Sequence, residues 1–319
     1  MADTATGHAP ILTVTINPAL DVTTSVGRVV AEHKMRCGAT RLDPGGGGIN
    51  VSRAIRNLGG RSTALYAAGG PTGQAYRELL QDEGISARAL RIAGSTRESF
   101  TVDETESGQQ FRFVLQGPEL EEHEWRRCLD AIAEDVPRGG YLVLSGSLPP
   151  GVPDDFYARA ARVAAERGAR TVVDASGPAL RAALDIGVFL VAPSRRELSE
   201  LVGEQVEDLD AQIAAARSLV ADGRSALIAL TLGGSGAVLV TPDATLRLPA
   251  APVRVRSTVG AGDAFLAGLV LRLAQGAPAA EAFRTAAAAG AATAALPGTA
   301  LCTAADVARL EADLTVTEI

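Results

Sequence analysis

Four consecutive glycines, Gly45 to Gly48, stand directly before a stretch that reads as a helix, in the segment DPGGGGINVSRAI (Asp43 to Ile55). Glycine inside a regular element costs about 0.5–1 kcal/mol relative to alanine, because its backbone loses the most freedom on folding. A run of this kind therefore demands a contact that only bare backbone permits. The expectation is that a ligand comes close enough here to forbid side chains.

A second small-residue cluster, STVGAGDAFLAGLVLRLA (Ser257 to Ala274), places Gly260, Ala261 and Gly262 before Asp263 and an apolar helical pattern. Successive N–H groups at a helix N-terminus form an anion-binding concavity. A carboxylate among such donors repels a bound phosphate, so Asp263 is better placed as a base that takes a proton from an attacking hydroxyl. Common glycine-rich phosphate motifs do not fit. A Walker A loop needs its lysine after a Gly-x4-Gly frame, and the chain's one lysine, Lys34, has no such frame before it. The Gly45–Gly48 run lacks the third glycine and the tight strand-to-helix turn of a dinucleotide fingerprint.

Strand-like and helix-like runs alternate along most of the 319 residues. ILTVTIN (Ile11 to Asn17) reads as a buried strand, Asn50–Leu58 and Thr72–Glu83 as helices. YLVLSG, VVDASG, VFLVAP and SALIALTLGG follow as further strands between helical stretches. This rhythm implies an α/β fold whose mostly parallel sheet is covered on both faces, with ligands at the carboxyl ends of the strands. Two segments, 21–43 and 99–115, carry no helical period. The second alternates Phe100 and Val102 with Phe111, Phe113 and Leu115 about the turn ESGQ, as a hairpin does. The chain is accordingly divided into a main α/β domain (1–20, 44–98 and 116–319) and a discontinuous β-sheet lid (21–43 and 99–115). A small sheet is unstable alone, so the lid is expected to cover the site and to pair with a second copy as a homodimer.

A net charge of −7 disfavours nucleic acid or an acidic membrane as partner. No uninterrupted apolar run spans a bilayer, and the polar start MADTATGHAP has no leader pattern. Cys37, Cys128 and Cys302 are few and scattered, which suits a reducing cytoplasm. His8, His33 and His123 are equally scattered and read as solvated surface residues.

The two glycine clusters, with SGSLPPGV (Ser145 to Val152), VVDASG and TLGGSGA (Thr231 to Ala237) in order between them, resemble the signatures of the ribokinase-like PfkB sugar kinases. FRFVLQGPEL and GTALCT are similar to the minor 6-phosphofructokinase branch of that family. The resemblance runs from about Ile11 to the C-terminus and implies a three-layer sandwich with a β lid. It implies Asp263 as catalytic base and Gly260, Ala261 and Gly262 as the hole that holds the transferred phosphoryl group. Asp21, Gly46, Gly47 and Asn50 match positions that hold the sugar, and the glycines would let backbone approach it. Lys34, Arg36, Arg97 and Ser147 match positions near the substrate phosphate, Lys34 and Arg36 sharing a face if their segment is a strand. Thr231, Gly233, Gly236, Ala287 and Ala291 match the ATP site. Glu197 and Asp174 are the candidates for Mg²⁺, through water, and a monovalent cation is a further candidate cofactor.

One motif departs from the pattern. APSRRE (Ala192 to Glu197) stands where close relatives read KPNxxE, so Ala192 and Ser194 replace lysine and asparagine. The loss of a cation implies weaker ATP binding or altered magnesium dependence, unless Arg195 or Arg196 compensates. The expected activity is ATP-dependent phosphorylation of the 1-hydroxyl of fructose 6-phosphate. Tagatose 6-phosphate and fructose 1-phosphate are alternative substrates, and a weakly catalytic sensor is the alternative of another class. GGGIN in place of the GKGIN of fructose-1-phosphate kinases favours the 6-phosphate.

Overall fold

The computed structural model describes residues 7–319, so most of the segment read as leaderless lies outside it. The chain opens with β1 (Ile11–Thr15), β2 (Ala19–Val26), β3 (Arg41–Gly45), α1 (Gly47–Asn57), β4 (Thr63–Ala68), α2 (Gly70–Asp82) and β5 (Ala87–Arg91). The hairpin β6 (Arg97–Glu104) and β7 (Gln110–Val114) follows, then α3 (Glu122–Asp135), β8 (Tyr141–Ser145), α4 (Phe156–Glu166) and β9 (Arg170–Asp174). Next come α5 (Gly177–Asp185), β10 (Val188–Val191), α6 (Arg195–Val202), α7 (Leu209–Ala221), β11 (Ser225–Thr231), β12 (Ala237–Val240) and β13 (Thr245–Leu248). The chain ends with α8 (Ala261–Ala274), α9 (Ala279–Ala294), α10 (Ala304–Glu311) and β14 (Thr317–Glu318).

The main sheet has ten strands in the order β14-β13-β12-β11-β10-β9-β8-β1-β4-β5. From β5 to β11 every neighbour is parallel, and β12, β13 and β14 are added antiparallel. Side chains alternate across it as strand geometry requires. Leu142 and Leu144 of β8 join Trp125, Ile132 and Phe156 under one helical layer, while Tyr141 and Val143 join Val51, Ile55, Phe265 and Phe283 under the other. The expected three-layer α/β architecture is thus present. The strand order turns at β1, where the chain adds β4 and β5 to one side and β8 onward to the other. This switch point leaves a crevice at the carboxyl ends of β1, β8 and β9.

A separate sheet has the order β3-β2-β6-β7. β2 and β6 start two residues before the expected lid segments, because their parallel pairing begins with Ala19 opposite Arg97. In register, Asp43, Asp21, Ser99 and Val114 form one row across the strands, and Leu42, Val22, Phe100 and Phe113 the next, on the opposite face. Residues 31–40 form no strand, so the parity that put Lys34 and Arg36 on one face does not apply.

The glycine run proves to be the junction itself. β3 ends at Gly45 and α1 begins at Gly47, with Gly46 at φ 117° between them. The tight strand-to-helix turn that the sequence was read as lacking is therefore here. A Cβ on Gly45 would lie 2.1 Å from Asp21 Oδ2, and one on Gly47 2.1 Å from Ser145 Oγ. On Gly48 it would lie 2.6 Å from the Val14 carbonyl oxygen. The missing side chains first make room for the protein's own strands, and only Gly46 and Gly47 face the crevice. Gly48→Ala is expected to cost about 2–3 kcal/mol in urea denaturation, because backbone cannot yield as a side chain can; an unchanged midpoint would refute this account.

Candidate active site

The crevice is a cavity of 360 Å³ lined by both sheets and by the loop that leads into α8. From the main sheet come Ser145 at the end of β8 and Asp174 at the end of β9, followed by Gly146, Ser147 and Ser176. The small sheet turns Ala19, Asp21, Arg97, Ser99, Thr101, Arg112 and Val114 toward it. Gly46, Gly47 and Asn50 enter from the start of α1, Thr258, Val259, Gly260 and Asp263 from the start of α8.

Helix α8 begins at a glycine for a backbone reason: Gly260, its N-cap, has φ 73°, a left-handed conformation that side chains resist. Asp263 sits in the first turn, where the helix dipole favours a carboxylate. The first-turn N–H groups have no intrahelical acceptor. Gly260 lines the cavity, whereas Ala261 and Gly262 stand beside it, with open space where a Gly262 side chain would be.

Asn50 Nδ2 donates to Asp263 Oδ2 at 2.9 Å, joining α1 to α8 across the cavity. Burial raises the Asp263 pKa, Asp21 acts in the same sense, and the Asn50 bond and Arg112 oppose them. The pKa of the expected base thus lies above the ordinary aspartate value. Asp174 is raised by burial and then by the Asp263 and Glu197 carboxylates, against a bond from Ser145 Oγ at 3.0 Å. Asp21 is pushed up to about 6, chiefly by burial and also by Asp43, although Arg112, Arg97 and Arg53 hold it down. Carboxylates thus gather round a space that two arginines enter.

Arg97 is braced by backbone: Nη2 donates to the Asn17 carbonyl at 3.1 Å and Nη1 to that of Leu115 at 3.1 Å. Ser147 Oγ accepts from Asn17 Nδ2 at 3.1 Å. Arg112 was not singled out in the sequence, though it occupies the polar phase between Phe111 and Phe113 and so had to face away from their side of the sheet. Thr299, a buried residue of the GTALCT segment, also reaches the cavity.

Other expected site residues are not in this cavity. Lys34 and Arg36 are exposed on the excursion between β2 and β3 and do not line it. Thr231 ends β11, and its N–H donates to the Pro193 carbonyl at 3.0 Å, in a parallel bridge with Ser194. Gly233 opens a short 3-10 turn after it, and Gly236 is needed for packing, a Cβ there falling 2.0 Å from the Leu248 carbonyl oxygen. Ala287 and Ala291 are half-buried on one face of α9, while Ala286, Ala288, Ala289 and Ala292 are buried. Glu197 lines the cavity, and its Oε2 accepts from Ser194 N at 2.8 Å and Ser194 Oγ at 2.7 Å. Ser194 is thus the N-cap of α6, and Ala192 packs on the core. Neither arginine lines the cavity: Arg196 is exposed and pairs with Glu200 at 2.9 Å, and Arg195 is exposed as well. Among the described residues no three His, Cys, Asp or Glu side chains cluster as a metal site, and Asp174 and Glu197 both line the cavity.

The family profile described as pfkB family carbohydrate kinase matches residues 15–306. The ATP-dependent 6-phosphofructokinase isozyme 2 of Mycobacterium tuberculosis (strain H37Rv) is 46% identical over 95% of this chain and 89% of its own. The isozyme 2 of Escherichia coli (strain K12) is 40% identical over 95% of this chain and 98% of its own. The crystal structure of Escherichia coli phosphofructokinase-2 in complex with substrates and products superposes with a TM-score of 0.92 at 40% identity, covering 95% of this chain and 99% of that one.

A carboxylate whose pKa is raised on folding costs stability when ionised, and the cost fades as pH falls below the folded value. Asp263→Asn is therefore expected to stabilise the ligand-free protein by about 1–2 kcal/mol at pH 7.5. The gap should close as the pH approaches the ordinary aspartate value of 3.8. Thermal melts of both proteins across this range check it, and a gap that widens on acidification would contradict it.

Proposed function

The chain belongs to the pfkB family of carbohydrate kinases, and from that membership we propose that it is an ATP-dependent 6-phosphofructokinase acting on D-fructose 6-phosphate. The observation that carries this reading is one cavity holding Asp263 at a helix N-terminus together with Arg97 and Arg112. The two relatives named for the same activity add to it.

In this reading Asp21, Asn50, Gly46 and Gly47 bind the sugar. Arg97, Arg112 and Ser147 take its 6-phosphate, a dianion that arginine suits by geometry and charge. The 1-hydroxyl oxygen attacks the γ-phosphorus, its proton passes to Asp263, and the bond from phosphorus to the ADP oxygen breaks. The transition state is loose, so positioning and charge stabilisation dominate. The N–H groups of the first turn of α8, from Gly260, Ala261 and Gly262 onward, face the charge that develops. Above its raised pKa Asp263 is ionised and ready to accept the proton.

ATP would lie over Thr231, Gly233 and Gly236, with its base against Ala287 and Ala291. Magnesium, when bound, neutralises phosphate charge. The donor set suits it, since Asp174 and Glu197 offer oxygen ligands and magnesium keeps several waters. A monovalent cation beside the nucleotide is tested by omitting potassium from the assay.

The small sheet, over 21–43 and 99–115, acts as a lid on the α/β body and excludes water from the reaction. Its outer row supports pairing of two lids: Leu42 is 44% and Phe113 53% exposed, in register with Val22 and Phe100. An apolar row of this kind calls for a partner, here a second copy. Lys34 and Arg36 stay in the reading only through such pairing, because in their own chain they stand outside the cavity. The free Cys37, Cys128 and Cys302 fit a reducing cytoplasm. Among the described residues no helix is long and apolar enough to cross a membrane.

A coupled ADP-release assay over fructose 6-phosphate, fructose 1-phosphate and tagatose 6-phosphate tests the substrate. The first is expected to have the highest kcat/KM. Asp263→Asn should lower its kcat by about 10³-fold or more, and full activity would remove Asp263 as base. Calorimetric binding of sugar phosphate without turnover in the parent would point to a sensor instead. Phe113→Asp is expected to shift the dimer toward monomer in light scattering; an unchanged mass would remove the lid face as the interface.

A further inference from the structure

Asn50 meets Asp263 through its amide nitrogen. A carboxamide is nearly symmetrical in shape but not in chemistry, and turned over it would aim a carbonyl oxygen at the carboxylate. Ionised Asp263, which only accepts, favours the nitrogen end, and what faces Oδ1 sets whether that orientation is held from the other side as well. That neighbour is Arg53, one turn along α1, whose Nη1 lies 3.5 Å from Asn50 Oδ1 and 3.4 Å from the Pro44 carbonyl oxygen. A guanidinium only donates, so it accepts one orientation of the amide and rejects the other.

Arg53 is itself held firmly. Its side chain is buried, with Nε and Nη2 each 2.7 Å from a carboxylate oxygen of Glu83 on the turn that ends α2. Asp43 of β3 stands 3.6 Å from Nη2. Paired this way the guanidinium is costly to remove and hard to rotate. It does not line the cavity.

The geometry points to Arg53 as a positioning residue, one that holds Asn50 Oδ1 and so keeps the amide hydrogens of Asn50 on Asp263 without touching sugar or nucleotide. The inference rests on the reading of Asp263 as base. A buried ion pair that merely braces α1 against α2 would leave the Asn50 amide where it is.

Two measurements decide between these. The first follows the side-chain ¹⁵N–¹H pair of Asn50 in the ligand-free protein, assigned by its loss in Asn50→Ala. Arg53→Met is expected to move that pair to the position of a free carboxamide, and Arg53→Lys, which restores a donor, to return it most of the way. The second is a cycle of Asn50→Ala, Arg53→Met and the double variant, read as kcat/KM for fructose 6-phosphate. Arg53→Met should cost about 10-fold or more, mainly in kcat, and the double variant should be no worse than Asn50→Ala alone. An unmoved amide pair, or losses that multiply across the cycle, overturns the inference. The amide measurement stands even if the parent phosphorylates no sugar, a result that would sink the kinase reading instead. Should Arg53→Met not fold, Glu83→Gln, which slackens the clamp and keeps the guanidinium, is expected to shift the amide pair part of the way; no shift there overturns the inference equally.

Discussion

The first turn of α1 can lie against β1 and β8 only because no side chain stands between them. Gly47 abuts Ser145 and Gly48 abuts the Val14 carbonyl, at separations a methyl group would violate. This contact fixes where α1 begins, and through it the direction of Asn50 toward α8. It also joins the two sheets, because β3 of the small sheet runs into α1 through the single residue Gly46. Tyr76, wholly buried, donates to the Gly45 carbonyl at 2.7 Å and anchors the junction from α2. The strand of the small sheet that enters α1, the cavity-facing backbone of Gly46 and Gly47 and the partner of Asp263 are thus one continuous piece of chain.

Onto that frame the site loads charge that the fold alone does not favour. Asp21, Asp174 and Asp263 are all raised by burial, and each is raised further by a nearby carboxylate. Such a gathering costs stability near neutral pH, as sites do when they hold groups ready for a ligand that will compensate them. Arg97 and Arg112 offset part of it around Asp21. The rest is suited to bound cations and to a hydroxyl proton. The proposed chemistry and the electrostatic strain have the same source.

Much of this was legible in the chain because local pattern and tertiary role coincide. The strands of the main sheet are short apolar runs, and burial on both faces makes them so. Phe100, Val102, Phe111 and Phe113 announced a hairpin whose pairs are Phe100–Phe113 and Val102–Phe111. Other features were hidden for physical reasons. α1 starts at Gly47 and not at Asn50, since glycine carries no helical signal even where close packing makes a helix of it. Lys34 and Arg36 were aligned by a parity that holds only in strands, and the excursion there is irregular. Arg112 lies in the polar phase of a strand whose signal is its apolar one, Phe111 and Phe113. The Asn50–Asp263 bond joins residues 213 positions apart, a separation no window along the chain can register.

The nucleotide side shows how a departure from a family motif acquires meaning from geometry. With Ala192 in place of a lysine, the strand end after β10 loses a cation, and Arg196 is committed to Glu200 on the outer face. Ser194 in place of asparagine still holds Glu197, through both its N–H and its hydroxyl. That grip uses Oε2. Placement of the carboxylate is therefore retained while positive charge is lost; in the proposed kinase reading, the burden of neutralising phosphate falls on backbone N–H groups at α8 and on the cation itself. A helix N-terminus contributes only about half a unit of charge. In that reading a metal on this side of the site matters more than it would beside a lysine.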